Sequence, residues 1–314
     1  MSNIGNGILV VNKPKGATSA RVVGQIKRIT RAQKAGHTGT LDPLATGVLV
    51  CCLNRATKLA RFFLHGDKTY HATLGLGIET DTQDATGKVI ARKAVPQLSI
   101  DSITATLNRF VGQIEQKPPV YSALKHRGQP LYKLARQGQP VQKPARQVDI
   151  KNIELIRLAD HDVYFRVTCS SGTYVRTLCA DIGRALDCAG YLKALCRTEN
   201  AGFSICDALS IEEIDMLAQK GRLAEKIVPM AEAIPFMPAY RADKVLTEKI
   251  YYGRILEGTD IKDAALLDYT GFIKVTDTHN RLLAIIRRKA ASSAFEYGCV
   301  FPRNNSDANT AAPH

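Results

Sequence analysis

The chain has 314 residues, 45% of them apolar and 23% charged, ordinary proportions for a folded globular protein that exclude collagen, a coiled coil and wholesale disorder. Lys and Arg outnumber Asp and Glu by 43 to 29, a formal charge of +14, so the surface field suits a polyanion. The length predicts one large domain with a small companion, or two comparable ones, and the apolar runs at Ile8 to Val11 and Val48 to Leu53 fall far short of the roughly 20 residues that span a bilayer.

In chain order, Met1 to Gly7 shows no basic n-region or long apolar stretch, so a cytoplasmic protein is expected, neither secreted nor membrane-bound. Ile8 to Val11 reads as a strand, and Ala20 to Ile29 as a helix with Val22, Val23, Ile26 and Ile29 on one face behind a Thr18/Ser19 cap. A Gly/Thr/Pro-rich loop from Gly36 to Gly47 leads into the strand Val48 to Leu53. Thr57 to Leu64 looks helical, Lys68 to Leu76 alternates like a half-buried strand, and Ile100 to Val111 reads as a helix. Val148 to Ile156 and Val163 to Cys169 read as strands. After Ser170-Ser171-Gly172 comes an amphipathic helix carrying Val175, Leu178, Cys179, Ile182 and Leu186. This interleaving without regular βαβ spacing predicts an α+β fold with a mixed or antiparallel central sheet. The two prolines of Ala233 to Pro238 suggest a boundary, giving a catalytic domain over residues 1–234, a β-rich module 235–303 with strands at Gly271 to Val275 and Leu282 to Arg287, and a disordered tail 304–314.

The eight cysteines form no C-x-x-C pair, and adjacent Cys51 and Cys52 point to opposite faces of a strand, so buried free thiols are expected rather than a zinc site or disulfides. Two segments concentrate the basic charge. Residues 1–70 hold 11 Lys/Arg against Asp42 and Asp67, and residues 117–147 hold seven basic side chains and no acid. One such run is equally a solvated basic face; two favour nucleic-acid binding.

No P-loop or dinucleotide fingerprint is present, since Gly75-Leu76-Gly77 meets Thr80 where a third glycine belongs. No H-E-x-x-H or compact His/Cys cluster occurs, so a bound catalytic metal is not expected. What stands out is Gly36-His37-Thr38-Gly39-Thr40-Leu41-Asp42-Pro43-Leu44-Ala45-Thr46-Gly47, one acid in a strongly basic, glycine-rich loop. An Asp there either stabilises its own turn or serves chemistry on a bound polyanion.

That loop, with Asn12-Lys13-Pro14-Lys15-Gly16-Ala17-Thr18-Ser19, Lys68-Thr69-Tyr70, Gln116 to Lys125 and Ser171-Gly172-Thr173-Tyr174-Val175-Arg176, resembles in order and spacing the signature of the TruB family of bacterial tRNA pseudouridine synthases, over about residues 8 to 205. The resemblance implies a cofactor-free isomerase that turns uridine-55 of the tRNA T loop into pseudouridine by extruding the base, breaking the N1–C1′ bond and joining C5 to C1′. It implies that Asp42 is the catalytic carboxylate, acting as nucleophile or promoting elimination. Tyr70 is the active-site tyrosine that stacks on the uracil or moves a proton. Arg176, with Cys179 and Ala180 as its helical neighbours and so no local acid, pairs with Asp42 and holds its pKa down. His37 supports the displaced nucleotide, and Tyr174, Leu195, Lys13 and Lys125 bind substrate. The segment 117–147 resembles the family's mobile insertion that closes over the T loop, and the C-terminal module resembles a PUA-like RNA-binding domain that touches the acceptor stem. Leu195-Cys196-Arg197 departs from the family's Leu-Arg-Arg, which removes one basic contact. A stand-alone enzyme is expected, with tRNA as its partner, no obligate protein partner, and a monomeric state. Two other readings remain: a tRNA-binding or folding module without essential catalysis, and an RNA-guided synthase with a similar Asp loop.

Overall fold

A computed structural model describes residues 4–289 and 292–302; the tail 304–314 lies outside them. Ten strands form one twisted sheet. Its main path runs Val228–Pro229, Gly7–Lys13, Thr46–Leu53, Gly190–Asn200, Lys68–Leu76, Asp162–Cys169, Arg146–Ala159, Gly112–Gln116, with Ala35–His37 beside Thr46–Leu53 and Phe203–Ser204 beside Gly190–Asn200. Neighbours are antiparallel except where Cys196 and Arg197 lie parallel to Thr46 and Gly47. The expected α+β fold with a mixed sheet is the one observed.

Alternation decides which face each strand buries. Along Lys68–Leu76, Tyr70, Ala72 and Leu74 join Val163, Phe165, Val167 and Cys169 of the paired strand in one cluster, which the helix Val175–Ala185 covers with Leu178, Cys179 and Ile182. The intervening His71 is exposed. The run Gly47 to Leu53 is buried on both faces, as a continuous apolar strand must be. Cys51 therefore packs with Val22 and Ile26 of the helix Ser19–Thr30, and Cys52 with Ile8, Val10 and Phe63 on the other side. That helix starts where expected, its Thr18 side chain accepting from the Arg21 amide.

Several elements differ from the sequence reading. The Thr57 to Leu64 segment is a 3-10 helix Asn54–Leu59 followed by one α turn, Ala60–Phe63. Asn54 forces the tight start: it sits at φ 53° and spends its amide on the Gln33 N–H and the Ile4 carbonyl. The helix from Ile100 stops at Asn108, because Gly112 at φ 100° opens an edge strand three residues after Arg109. The long strand Gly190–Asn200 carries no clear alternation and is not anticipated.

Beyond residue 234 the chain is not purely β. The helix Lys244–Tyr251, capped by Asp243 through the Leu246 amide, packs on a four-stranded sheet ordered Ala239–Arg241, Ile273–Thr276, Leu282–Arg288, Phe295–Val300. Leu282, Ile285 and Phe301 turn the other way and share a cluster with Ile8, Val10, Val48, Val50 and Phe63. Ala231, Ala233, Ile234 and Met237 are buried in that same cluster, so the proline-containing stretch is pinned to the core on both sides while Pro235 and Phe236 face outward.

Candidate active site

The Asp42 loop is fixed from below. The Ser19 hydroxyl donates to the Leu41 carbonyl at 3.0 Å and accepts from the Leu41 amide at 2.8 Å. The Gly16 amide donates to the Pro43 carbonyl at 2.7 Å, while Leu41, Leu44 and Ala45 are buried in the main core. The segment Asn12 to Ser19 is thus the bracket on which the loop rests. Lys13 belongs to that bracket. Its side chain is wholly buried, its ammonium donates to the carbonyls of Pro14 and Ala17 at 2.8 and 2.6 Å, and burial lowers its pKa to about 8 against the opposing pull of Asp42.

Arg176 occupies the first turn of its helix with the side chain 5% exposed, and its Nε lies 2.9 Å from Asp42 Oδ2. That approach is off the N–H line, so charge rather than a linear hydrogen bond carries it. Nη1 donates to the Thr82 carbonyl at 3.2 Å and lies 3.7 Å from Asp84 Oδ2, and Nη2 donates to the Tyr121 carbonyl at 2.9 Å. Asp84 is itself buried and held by Thr82 Oγ1 and the amide and hydroxyl of Thr86. One guanidinium thereby bridges two carboxylates, one inside the protein and one facing the cleft.

Arg176 pulls the Asp42 pKa down, as expected, yet the pull does not prevail. The Asp42 carboxyl is pushed above the usual 3.8, because desolvation in the concave site is the largest influence; Arg176 opposes it, Asp84 adds to it, and Lys13 opposes it. The Asp42 side chain nevertheless remains 42% exposed, which leaves its oxygen reachable from the cleft.

The cleft, of about 270 Å³, is lined by Asp42, Tyr70, Tyr174, Arg176 and Leu195 together with Thr38 to Leu41, Leu64, Lys68, Ser122, Ala123, Arg146, Ser170 to Thr173, Val175 and Arg197. Tyr70 is buried, and burial raises its hydroxyl pKa while Arg197 pulls it back. In the sheet register Tyr70 faces Arg197, and Ala72 faces Leu195. Arg197 is buried too, donating from Nε to the Val48 carbonyl at 2.8 Å and from Nη2 to the Gly39 carbonyl at 3.0 Å. Gly47 makes this joint possible: at φ 97°, a Cβ there would sit 2.2 Å from the Arg197 carbonyl oxygen. Tyr174 caps its helix with its backbone tied to Gln116, whose side chain accepts from the Tyr174 amide at 2.7 Å and donates to its carbonyl at 3.1 Å.

Three of the expected site residues lie off this lining. His37 stands behind the loop and accepts from the Gly39 amide at 3.3 Å, its pKa lowered first by burial and then by Arg197. Lys13 is interior, and Lys125 is exposed on the short hairpin Lys125–His126/Gln129–Pro130. Conversely Asp84 and Arg146 belong to the site without a sequence signal that marks them for it, while Lys68, Ser122 and Arg197 lie in motif segments that assign them no role there. Thr82 to Thr86 reads only as a polar turn, and Arg146 only as one more basic residue.

Residues 27–175 match the family described as TruB family pseudouridylate synthase, N-terminal domain, and residues 176–234 match the tRNA pseudouridylate synthase B C-terminal domain. Over 220 residues the chain is 49% identical to the tRNA pseudouridine synthase B of Francisella philomiragia subsp. philomiragia and 47% identical to that of Francisella tularensis subsp. novicida. Each match covers 70% of this chain and 73% of the relative. Among solved structures it superposes on a chain of a Cbf5-Nop10-Gar1 complex with TM-score 0.73 and 25% identity, covering 95% of this chain and 85% of that one. It superposes on a chain of the archaeal box H/ACA sRNP Nop10-Cbf5 complex with TM-score 0.72 and 23% identity, covering 96% and 88%, a likeness of fold. With these matches and a cleft built from the motif segments, the chain belongs to the TruB family of pseudouridylate synthases, an isomerase.

Proposed function

We propose that the chain converts uridine-55 in the T loop of tRNA to pseudouridine without a guide RNA or cofactor. The observation that carries the reading is the ion pair of Arg176 with Asp42 in a cleft walled by Tyr70 and Leu195. The names of the curated relatives support tRNA as substrate. A base inside a helical or looped RNA reaches such a cleft only when extruded from its stack. Leu195 and Tyr70 then offer it flat contact, with Asp42 alongside.

Asp42 is the nucleophilic or eliminating carboxylate, and Arg176 keeps it oriented and more acidic than burial alone would leave it. The reaction breaks N1–C1′ and forms C5–C1′, with a proton lost from C5 and one gained at N1. Tyr70 packs under the base, and Tyr174 helps hold the nucleotide. His37 supports the loop from behind. Residues 1–234 form the catalytic domain, and the basic segment 117–147, with Lys125 on its hairpin, closes on the T arm. Residues 235–303 act as a PUA-like module toward the acceptor stem.

The test is incubation with an unmodified tRNA transcript, free of any guide, followed by mapping of pseudouridine along the RNA. Modification confined to uridine-55 is expected. Modification only when a guide RNA is supplied would assign the guided class instead, and tight binding without modification at any position would leave a binding module.

A further inference from the structure

The cleft is lined by four cationic side chains, and three of them are committed to the protein. Arg176 is paired with Asp42 and Asp84. The Lys68 ammonium donates to the carbonyls of Leu64 and Gly66, and Arg197 donates to those of Val48 and Gly39. Arg146 is different. It makes no ion pair with any carboxylate among the described residues, and only its Nη2 finds an acceptor, the Gly172 carbonyl. Its Nε–H is buried without a hydrogen-bond partner, and Nη1 has none either.

The surroundings hold this guanidinium in place without neutralising it. Its Cζ lies over the Tyr174 ring, 4.9 Å from the centroid, a cation–π contact that holds a cation without spending its N–H donors. Gly172 makes room: at φ 89°, a Cβ there would lie 3.2 Å from Arg146 Cζ. The backbone of Arg146 pairs with Gln116 in the sheet, and Gln116 also holds both backbone groups of Tyr174. Arg146, Gly172 and Tyr174 therefore form one rigid unit, placed where the 117–147 segment rejoins the sheet.

A stacked, uncompensated guanidinium with free donors is built to receive an oxyanion in a forked contact. The anion that a polynucleotide brings to this cleft is its phosphodiester. Resting on the proposed reading that RNA is the substrate, we infer that Arg146 binds the phosphate of the extruded nucleotide. Tyr174 and Gly172 present its donor edge, and Arg146 thereby sets how far the base enters toward Asp42. Arg146 is a substrate-binding residue, not a group that touches the reacting bonds.

The experiment pairs protein and RNA changes. Equilibrium binding and steady-state rates are measured for the wild type and Arg146→Gln on a tRNA transcript and on the same RNA carrying one uncharged methylphosphonate at the phosphate flanking the target uridine, 5′ and 3′ in turn. One neutral linkage is expected to weaken wild-type binding roughly tenfold, yet weaken Arg146→Gln less than about twofold, because the partner is already gone. The slope of log K against log salt is expected to fall by about one in the variant, with the loss read chiefly in KM. Arg146→Lys, which keeps the charge and loses the fork, is expected to retain the salt slope. Losses that multiply independently at both linkages, or an unchanged slope in Arg146→Gln, would overturn the assignment. If Arg146→Gln melts below the assay temperature, the Arg146→Lys and methylphosphonate pair decides alone. A wild type that binds the RNA and modifies no uridine would defeat the functional reading while leaving the phosphate cycle readable.

Discussion

At the scale of single residues, Asp42 carries a conflict that defines it. The proposed role requires it ionised, yet desolvation favours its neutral form more than Arg176 disfavours it. A carboxylate with a folded pKa above its unfolded value loses activity as pH falls through that raised pKa. The acid limb of single-turnover rate against pH should therefore have its midpoint above 3.8, and Arg176→Met, which removes the opposing charge, should move that limb upward. A limb at or below 3.8 would contradict the assignment. The same sign makes ionised Asp42 a cost to folding at neutral pH, as functional groups often are. Asp84 shares the cation from inside. Asp84→Asn keeps the polar contacts to Thr82 and Thr86 but removes a buried charge beside Arg176. It is expected to cost about 1–3 kcal/mol in denaturant unfolding and to lower the Asp42 limb, because Asp84 pushes that pKa up; an unshifted limb would separate Asp84 from the site.

At the scale of elements, the site depends on the joint where the Asp42 loop runs into its strand beside Gly190–Asn200. The backbone ladder there comprises Cys196↔Thr46 and Arg197↔Gly47, the Arg197 side chain adds a bond to the Val48 carbonyl, and the loop carbonyl of Gly39 is held by Arg197 as well. Gly47→Ala meets both a left-handed φ and backbone at 2.2 Å, so it should cost about 1–3 kcal/mol and reduce activity beyond what global unfolding explains. A variant as stable and as active as the wild type would show that the joint yields freely.

These elements also show what can be read in advance. Lys68–Leu76 and Asp162–Cys169 are legible because their core-facing residues, Tyr70, Ala72 and Leu74 and Val163, Phe165, Val167 and Cys169, recur at every second position and are all buried. The helix Ser19–Thr30 is legible from its cap and apolar stripe. Gly190–Asn200 escapes because exposed Lys193 and Ala194 fall together where its register against Lys68–Leu76 shifts between Leu192 and Ala194, which breaks the period of two. Asp42, Tyr70, Arg176, Tyr174 and Leu195 are found through motif segments, and the fold brings all five to one cleft. Asp84 and Arg146 are not, since what marks them is contact with residues distant in sequence, Arg176 and Tyr174, which leaves no local pattern. Lys13 is recognisable as a motif residue, but its buried ammonium ties down the loop bracket.

At the scale of the whole molecule, two facts govern behaviour. The first is mechanical: the C-terminal sheet and the main sheet share one apolar cluster through Leu282, Ile285, Phe301, Ile8, Val10 and Phe63. Phe63→Ala should then cost about 3–5 kcal/mol and shift a single unfolding transition. Two separated transitions in calorimetry would show that the two sheets melt independently. The second is electrostatic. With a formal charge of +14, much of it in residues 1–70 and 117–147, RNA affinity should fall steeply with salt, with a log–log slope of about −3 or steeper. A flat response would remove phosphate contact as the source of binding.

The most direct test of the central claim is tritium release from an unmodified tRNA transcript labelled at uridine C5, with purified wild type and Asp42→Ala side by side. Isomerisation expels the C5 hydrogen, so the wild type should release one equivalent per target uridine and Asp42→Ala none, while both bind the RNA alike. Release by Asp42→Ala at the wild-type rate would contradict the account, because the carboxylate around which the cleft is built would then have no role in the chemistry.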